Sequence, residues 1–133
     1  MSEIFGDRIL APDTLENIYA ATAWTVVHAP VAATQAIATK AAGSAGVKHV
    51  CYGISATIAA AGTAQTPITV QVLDGASVIY SGQLSAPANQ SAQLLITGLF
   101  LVGTAATSMT LQFSGAGVAA SVQNCTLIGF DVT

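Results

Sequence analysis

The side chains that could carry chemistry beyond residue 20 are few: His28, His49, Cys51, Cys125, Asp74 and Asp131. His49 and Cys51 stand two apart, so on a strand they share a face and could begin a metal site. A third and fourth ligand would have to come from His28, Cys125, Asp74 and Asp131, and no ligand spacing ties these together. Nucleophilic catalysis needs a base beside a Ser or Cys and an orienting group behind the base. Neither His28 nor His49 lies in such a motif. Paired-carboxylate chemistry is limited to Asp74 and Asp131, and Asp74 precedes Gly75 in what reads as a turn. No glycine pattern builds a phosphate loop. A sugar platform would need stacked aromatics. Strand alternation does not gather Trp24, Tyr52, Tyr80 and the phenylalanines, and Trp24 reads as core. The expectation is a protein that is not an enzyme and uses no metal or cofactor. Cys51 and Cys125 lie in apolar runs, where free buried thiols are expected; a disulfide is geometrically possible but nothing supports it.

The elements that would position these residues are strands. Residues 22–29 (TAWTVVHA) are β-branched and aromatic and end at Pro30. Residues 34–40 form a weaker strand, and 41–46 (AAGSAG) a loop. Residues 47–59 make a long strand in which Gly53 suggests a bulge or bend. Residues 67–73 alternate, with Ile68, Val70 and Val72 on one face and Thr69 and Gln71 on the other. Asp74-Gly75 then signals a hairpin returning over 78–81. A loop is expected over 83–89, then strands over 91–97, 99–102 and 108–113, a loop at 114–117, and one long or two short strands over 118–132. About eight or nine strands with regular turn signals and no long helix indicate an all-β antiparallel sandwich, jelly-roll-like, over residues 21–133.

One strip is written twice. Residues 62–72 read GTAQTPITVQV and residues 103–113 read GTAATSMTLQF, identical at six of eleven positions with an offset of 41. Three further positions are apolar in both. Each copy sets a turn before a strand with Thr and Gln on one face and apolar residues on the other. Two copies are too few for a solenoid. Two equivalent strands, one in each half of a pseudo-symmetric sandwich, is the simplest account; convergent use of common turn and strand residues is the alternative.

Charge excludes several functions. Charged residues make up 7% of the 133 residues, against about 25% in an average chain. Glu3, Asp7, Arg8, Asp13 and Glu16 crowd the first sixteen positions, and from residue 17 onward only Lys40, Lys48, Asp74 and Asp131 remain, summing to zero. Three basic residues cannot neutralise a phosphate track, so nucleic acid is not an expected partner. The longest bulky apolar run is residues 99–102, far short of a spanning helix, so no membrane partner is expected either. The opening MSEIFGDRIL is acidic where a secretory leader would be basic, which sets the expectation of a protein made and assembled in a cytoplasm. A body this neutral has little electrostatic defence against association, so copies of itself, as a dimer or trimer, or a larger assembly are expected to cover it.

Residues 1–20 stand apart. They hold the charge and carry Ile4, Phe5, Ile9, Leu10, Leu15, Ile18 and Tyr19. Pro12-Asp13-Thr14 could cap a short helix over 15–21; otherwise the segment is an extended arm. Apolar residues at intervals without a core of their own make these seven the candidate docking residues.

The stretch from Trp24 to Cys51, WTVVHAPVAATQAIATKAAGSAGVKHVC, resembles a group of small tailed-bacteriophage proteins that are virion structural components. The matching pieces are W-x-V-V-H-x-P, T-Q-A-x-A-T-K-A-A-G and G-V-K-H-V-C, with QTPITVQVLDG and MTLQFSGAG further on. The resemblance spans most of residues 22–131; the acidic N-terminal segment is not part of the pattern. It implies a β-sandwich carried on the particle and no catalytic residues. Within that class, capsid decoration fits best: a cement protein on the capsid exterior, with the major capsid protein as partner. A head-fibre or tail-associated protein facing a receptor is the alternative, and a carbohydrate-binding module a more distant one.

Overall fold

The computed structural model describes residues 22–133. The arm candidates Ile4, Phe5, Ile9, Leu10, Leu15, Ile18 and Tyr19, and the short helix expected over 15–21, lie outside the described residues. The described residues form eight strands: β1 (Ala23–His28), β2 (Ile37–Lys40), β3 (Lys48–Ala59), β4 (Gln65–Asp74), β5 (Ser77–Ala86), β6 (Ser91–Val102), β7 (Met109–Phe113) and β8 (Val122–Val132). They make two four-stranded sheets, ordered β1-β8-β3-β6 and β2-β7-β4-β5, with every pairing antiparallel. Successive strands alternate between the sheets except where the β4–β5 hairpin stays in one, which is the double Greek key of a jelly roll. The all-β sandwich expected from the sequence is the fold observed.

The alternation that defines each strand also defines the core. Val70 and Val72 of β4 meet Met109, Leu111 and Phe113 of β7 from one sheet, and all five are fully buried. Cys51, Ile54, Ala56 and Ile58 of β3, with Cys125 and Leu127 of β8, fill the space from the other. Alanines at 36, 38, 56 and 86 sit among these larger side chains, and the two inner faces interdigitate where small opposes large.

Four expectations are corrected. The loop expected over 83–89 is strand as far as Ala86; its polar Ser81-Gly82-Gln83 stretch lies on an edge strand whose outer side is solvated. Residues 91–102 form one strand, with Gly98 at φ 77° absorbing the irregularity between the two expected pieces. Residues 118–121 are not strand, and β8 starts at Val122. The two copies of the repeated strip do not occupy separate halves of a symmetric sandwich. They are neighbours in one sheet, with Val72 opposite Leu111 and Gln71 opposite Gln112. Repetition here gives two adjacent strands the same inside and outside.

Bulges set which residues face out of the first sheet. On β3, Cys51 pairs with Gly129 and Gly53 with Ile128, so Tyr52 is an extra residue opposite none on β8. The side-chain alternation therefore changes phase there. His49 and Cys51 point inward before the bulge, and Ile54, Ala56 and Ile58 after it. Gly53 is thus a bulge residue, as the sequence suggests. Strand β6 slips beside it: Leu101 pairs with Cys51, and Thr97 with Gly53.

Candidate functional site

The structure gathers the chemistry-bearing residues into two inward-facing arrangements, neither visible in the spacing. In the first, Asp131 near the end of β8 accepts a hydrogen bond from Trp24 Nε1 at 2.7 Å and is bonded to His49 Nδ1. The His49 Nε2 lies 2.7 Å from the Ala41 carbonyl in the β2–β3 loop. Both ring nitrogens face oxygen partners, so the ring is held at both edges. The ring is 1% exposed, the indole of Trp24 meets it edge-on at 5.6 Å, and the Lys40 ammonium lies 5.8 Å from the Trp24 ring centroid. An Asp–His pair can orient a general base, but here the second nitrogen is held by a backbone carbonyl. The arrangement clamps three parts of the chain: the start of β1, the loop before β3 and the end of β8.

Gly129 makes room for this centre. It pairs with Trp24 across β1–β8. A Cβ at this position would stand 2.3 Å from the Val50 carbonyl and 2.5 Å and 2.6 Å from two carbons of the indole. The indole can lie flat over the strand only because residue 129 has no side chain.

In the second arrangement His28 and Cys125 are direct partners across β1–β8, on the same inward side. A base beside a thiol is the nucleophile geometry the sequence does not reveal. Yet the His28 Nδ1 accepts from the Ile37 amide at 2.8 Å, and the Cys125 thiol donates to the Leu111 carbonyl at 3.5 Å. Burial pushes the Cys125 thiol up to about 11 and the Cys51 thiol likewise to about 11, opposite in direction to an activated thiolate. Both cysteines are free and buried. Cys51 pairs with Gly129 and Cys125 with Ala56, so four residues of β8 separate them, about 13 Å at strand rise and beyond disulfide reach. His49 and Cys51 do share a face, but the Cys51 thiol turns to the Gly53 carbonyl while His49 turns to Asp131. No group of three metal-ligating side chains forms among the described residues.

Polar side chains also hold the loops at both ends. Asp74 accepts from the Thr104 amide at 3.0 Å and its hydroxyl at 2.6 Å, tying the β6–β7 loop to the β4–β5 hairpin, a role beyond the turn it was expected to make. At the opposite end Gln123, fully buried, accepts from the Ala36 amide and donates to the Gly115 carbonyl, both at 2.9 Å. Gln65 accepts from the Val118 amide at 2.8 Å.

The remaining feature is the outer face of the β1-β8-β3-β6 sheet. One cross-strand row runs Val27, Thr126, Ser55, Leu95, and another runs Ala23, Phe130, Val50, Val102. Large apolar side chains stand exposed along the two edge strands: Val27 at 60%, Leu95 at 61%, Phe100 at 71% and Val102 at 47%. Phe130 lies 6.0 Å from Tyr52 and 6.4 Å from Phe100, ring centre to ring centre. The paired irregularities of β3 and β6 bring these rings together, so the expectation that strand alternation leaves the aromatics scattered is corrected for Tyr52, Phe100 and Phe130. Among the described residues of this face, Lys48 at the rim is the only charge. The outer face of the other sheet is different in kind. It presents Thr39, Thr110, Thr69, Gln71, Gln112, Ser81 and Gln83 beside Ile37, Leu73 and Val78, with Thr39 and Thr110 hydroxyls 3.0 Å apart.

No protein-family model matches the chain. No curated protein matches its sequence. Among solved structures it is similar to PRD1 vertex protein P5, at 10% identity and a TM-score of 0.47, over 82% of this chain and 96% of that one. It is similar to dimeric latent PorU from Porphyromonas gingivalis at 12% identity and a TM-score of 0.46, over 83% of this chain and 13% of that one. A structure described as "CBM4 structure and function" aligns at 13% identity and a TM-score of 0.35, over 74% of this chain and 61% of that one.

Proposed function

We propose that this chain is a bacteriophage virion structural protein of the capsid-decoration type, which binds the assembled head from outside and stabilises it passively. The observation that carries the proposal is the nearly uncharged outer face of the β1-β8-β3-β6 sheet, with Val27, Leu95, Phe100 and Val102 exposed on it, on a body whose formal charge from residue 17 onward is zero. A surface like this is expected where other protein covers it. The phage-protein motifs across residues 22–131 give the setting. The major capsid protein is the partner, and residues 1–20 carry the contact through Ile4, Phe5, Ile9, Leu10, Leu15, Ile18 and Tyr19. Each contact can be weak, since many copies on one lattice act together. Binding only to the assembled shell shifts its stability by mass action, with no chemical step.

The test is to add the purified chain to heads that lack it. Saturable binding and a higher disruption temperature are expected, both reduced by Ile9→Asp with Leu10→Asp. Binding that this double variant leaves at full affinity would remove the arm from the mechanism, and heads that never bind the protein would end the decoration proposal.

One observation favours a second reading. Tyr52, Phe100 and Phe130 form an aromatic cluster such as a sugar-binding or receptor-facing protein would use. Their planes are tilted by 36° and 54°, a packed arrangement less suited to stacking on one sugar ring than a coplanar platform. Glycan-array binding abolished by Phe100→Ala would favour this reading.

A further inference from the structure

We propose that the outer face of the β1-β8-β3-β6 sheet is a two-fold contact with a second copy of this chain. This goes beyond capsid binding and holds whether or not the protein sits on a head.

Relief, charge and area support it together. In the row Val27–Thr126–Ser55–Leu95 the two edge strands carry large exposed side chains and the two central strands carry small hydroxyls. Along this row the surface is a shallow trough between two apolar edges, with Gln93 donating to the Ser55 hydroxyl at 3.4 Å; in the rows beside it the relief reverses, and Ile128 and Phe130 stand on the central strand β8. A second copy related by a two-fold axis seats its Leu95 over the Ser55–Thr126 trough, and the first copy does the same in return. This is the reciprocal pattern an isologous interface requires.

Charge permits the contact. The described residues of the face carry no charge inside the rim lysine, Lys48, so two identical faces meet without like charges and without stripping water from an ion. The opposite sheet also lacks charge and exposes Ile37 and Val78, but it has no aromatic ring and nothing as exposed as Val27, Leu95 or Phe100, so its burial gains less apolar area for the amides and hydroxyls it desolvates.

The area is sufficient. Four strands at about 4.8 Å spacing and a length of about 35 Å give a face on the order of 700 Å². Two such faces bury roughly 1,400 Å², within the range of about 1,200–2,000 Å² for specific complexes. The face must be used almost whole, and the affinity is expected in the micromolar range.

The experiment is sedimentation velocity on the full chain from about 1 to 100 µM, a range that brackets a micromolar dissociation constant. The wild type is expected to pass from monomer to dimer. Leu95→Glu and Val27→Glu, at exposed positions that leave folding intact by circular dichroism, are expected to weaken the dimer about 100-fold or more by burying a charge. Thr126→Leu makes the face more apolar but fills the trough, and is expected to weaken the dimer about tenfold. Gln83→Glu, on the opposite sheet, is expected to leave it unchanged. A wild type that stays monomeric throughout the range, or that forms a trimer, overturns the proposal. So does a dimer that survives both Leu95→Glu and Val27→Glu, or one that Thr126→Leu tightens.

Discussion

Replacing Gly129 with alanine adds one methyl group and tests the polar centre at the end of the sandwich. Gly129 does not have positive φ, so the backbone itself accepts alanine. The penalty is therefore purely steric. The new Cβ would fall 2.3 Å from the Val50 carbonyl oxygen and 2.5 Å from the Trp24 ring. The carbonyl belongs to the β3–β8 ladder, so the indole must give way. Overpacking of this kind costs about 1–3 kcal/mol. A displaced indole also releases the Trp24 hydrogen bond to the Asp131 carboxylate, which contributes about 1.5–3 kcal/mol. Together the loss is roughly 2.5–6 kcal/mol. In a chain of this size that lowers Tm by on the order of 10–20 °C. Differential scanning calorimetry reads the shift. Trp24 is the sole tryptophan, so its fluorescence reports whether the ring has moved. Gly62→Ala is the control, since a Cβ there meets nothing within 4 Å and the glycine has no positive φ. A Gly129→Ala variant whose Tm stays within about 2 °C of wild type, with unchanged fluorescence, would refute the steric argument. So would a Gly62→Ala variant equally damaged.

Three further outcomes follow from the same geometry. Asp131→Ala leaves the buried His49 Nδ1 and the Trp24 N–H without their hydrogen-bond partner and is expected to cost about 2–4 kcal/mol in urea unfolding. Gln123→Met, which keeps the volume but removes both hydrogen bonds, is expected to cost about 2–3 kcal/mol by the same measurement and to expose the loop over 114–121 to proteolysis. Cys51 and Cys125 are expected to resist aromatic disulfide reagents at pH 8 in the native state and to react fully in denaturant. Their folded pKa of about 11 lies above the ordinary 9.0. The unfolded chain thus gives up these protons first as pH rises, and the stability present below pH 9 is lost progressively between about 9 and about 11. A Cys51→Ala/Cys125→Ala double variant should lack this part of the alkaline loss.

What could be read from the sequence was whatever depends on neighbours in the chain. Val70, Val72, Met109, Leu111 and Phe113 declare their inward face by alternation, Asp74-Gly75 declares its hairpin, and Gly53 declares its bulge. The candidate site depends on partners far apart in the chain. His49 and Asp131 are 82 residues apart, and Trp24 and Asp131 are 107. Tyr52, Phe100 and Phe130 come from three strands that only the β8-β3-β6 order makes adjacent. Strand order is not encoded in alternation, so neither the clamp around Asp131 nor the aromatic cluster had a local signal. The two irregularities that align the aromatics were half legible. Gly53 was visible as a bulge, whereas Gly98 looked like a break between strands because a glycine inside an apolar run signals either. The repeated strip showed its inside and outside correctly, but not that its two copies lie side by side.

The central claim is that this chain is a repeated component of a phage head. The most direct measurement is its copy number relative to the major capsid protein in purified virions, by quantitative mass spectrometry. The account predicts a ratio near one or a simple fraction of it, as a lattice-bound decoration protein requires. A handful of copies per particle would place it at a fibre, tail or portal, and absence from virions would contradict the structural role altogether.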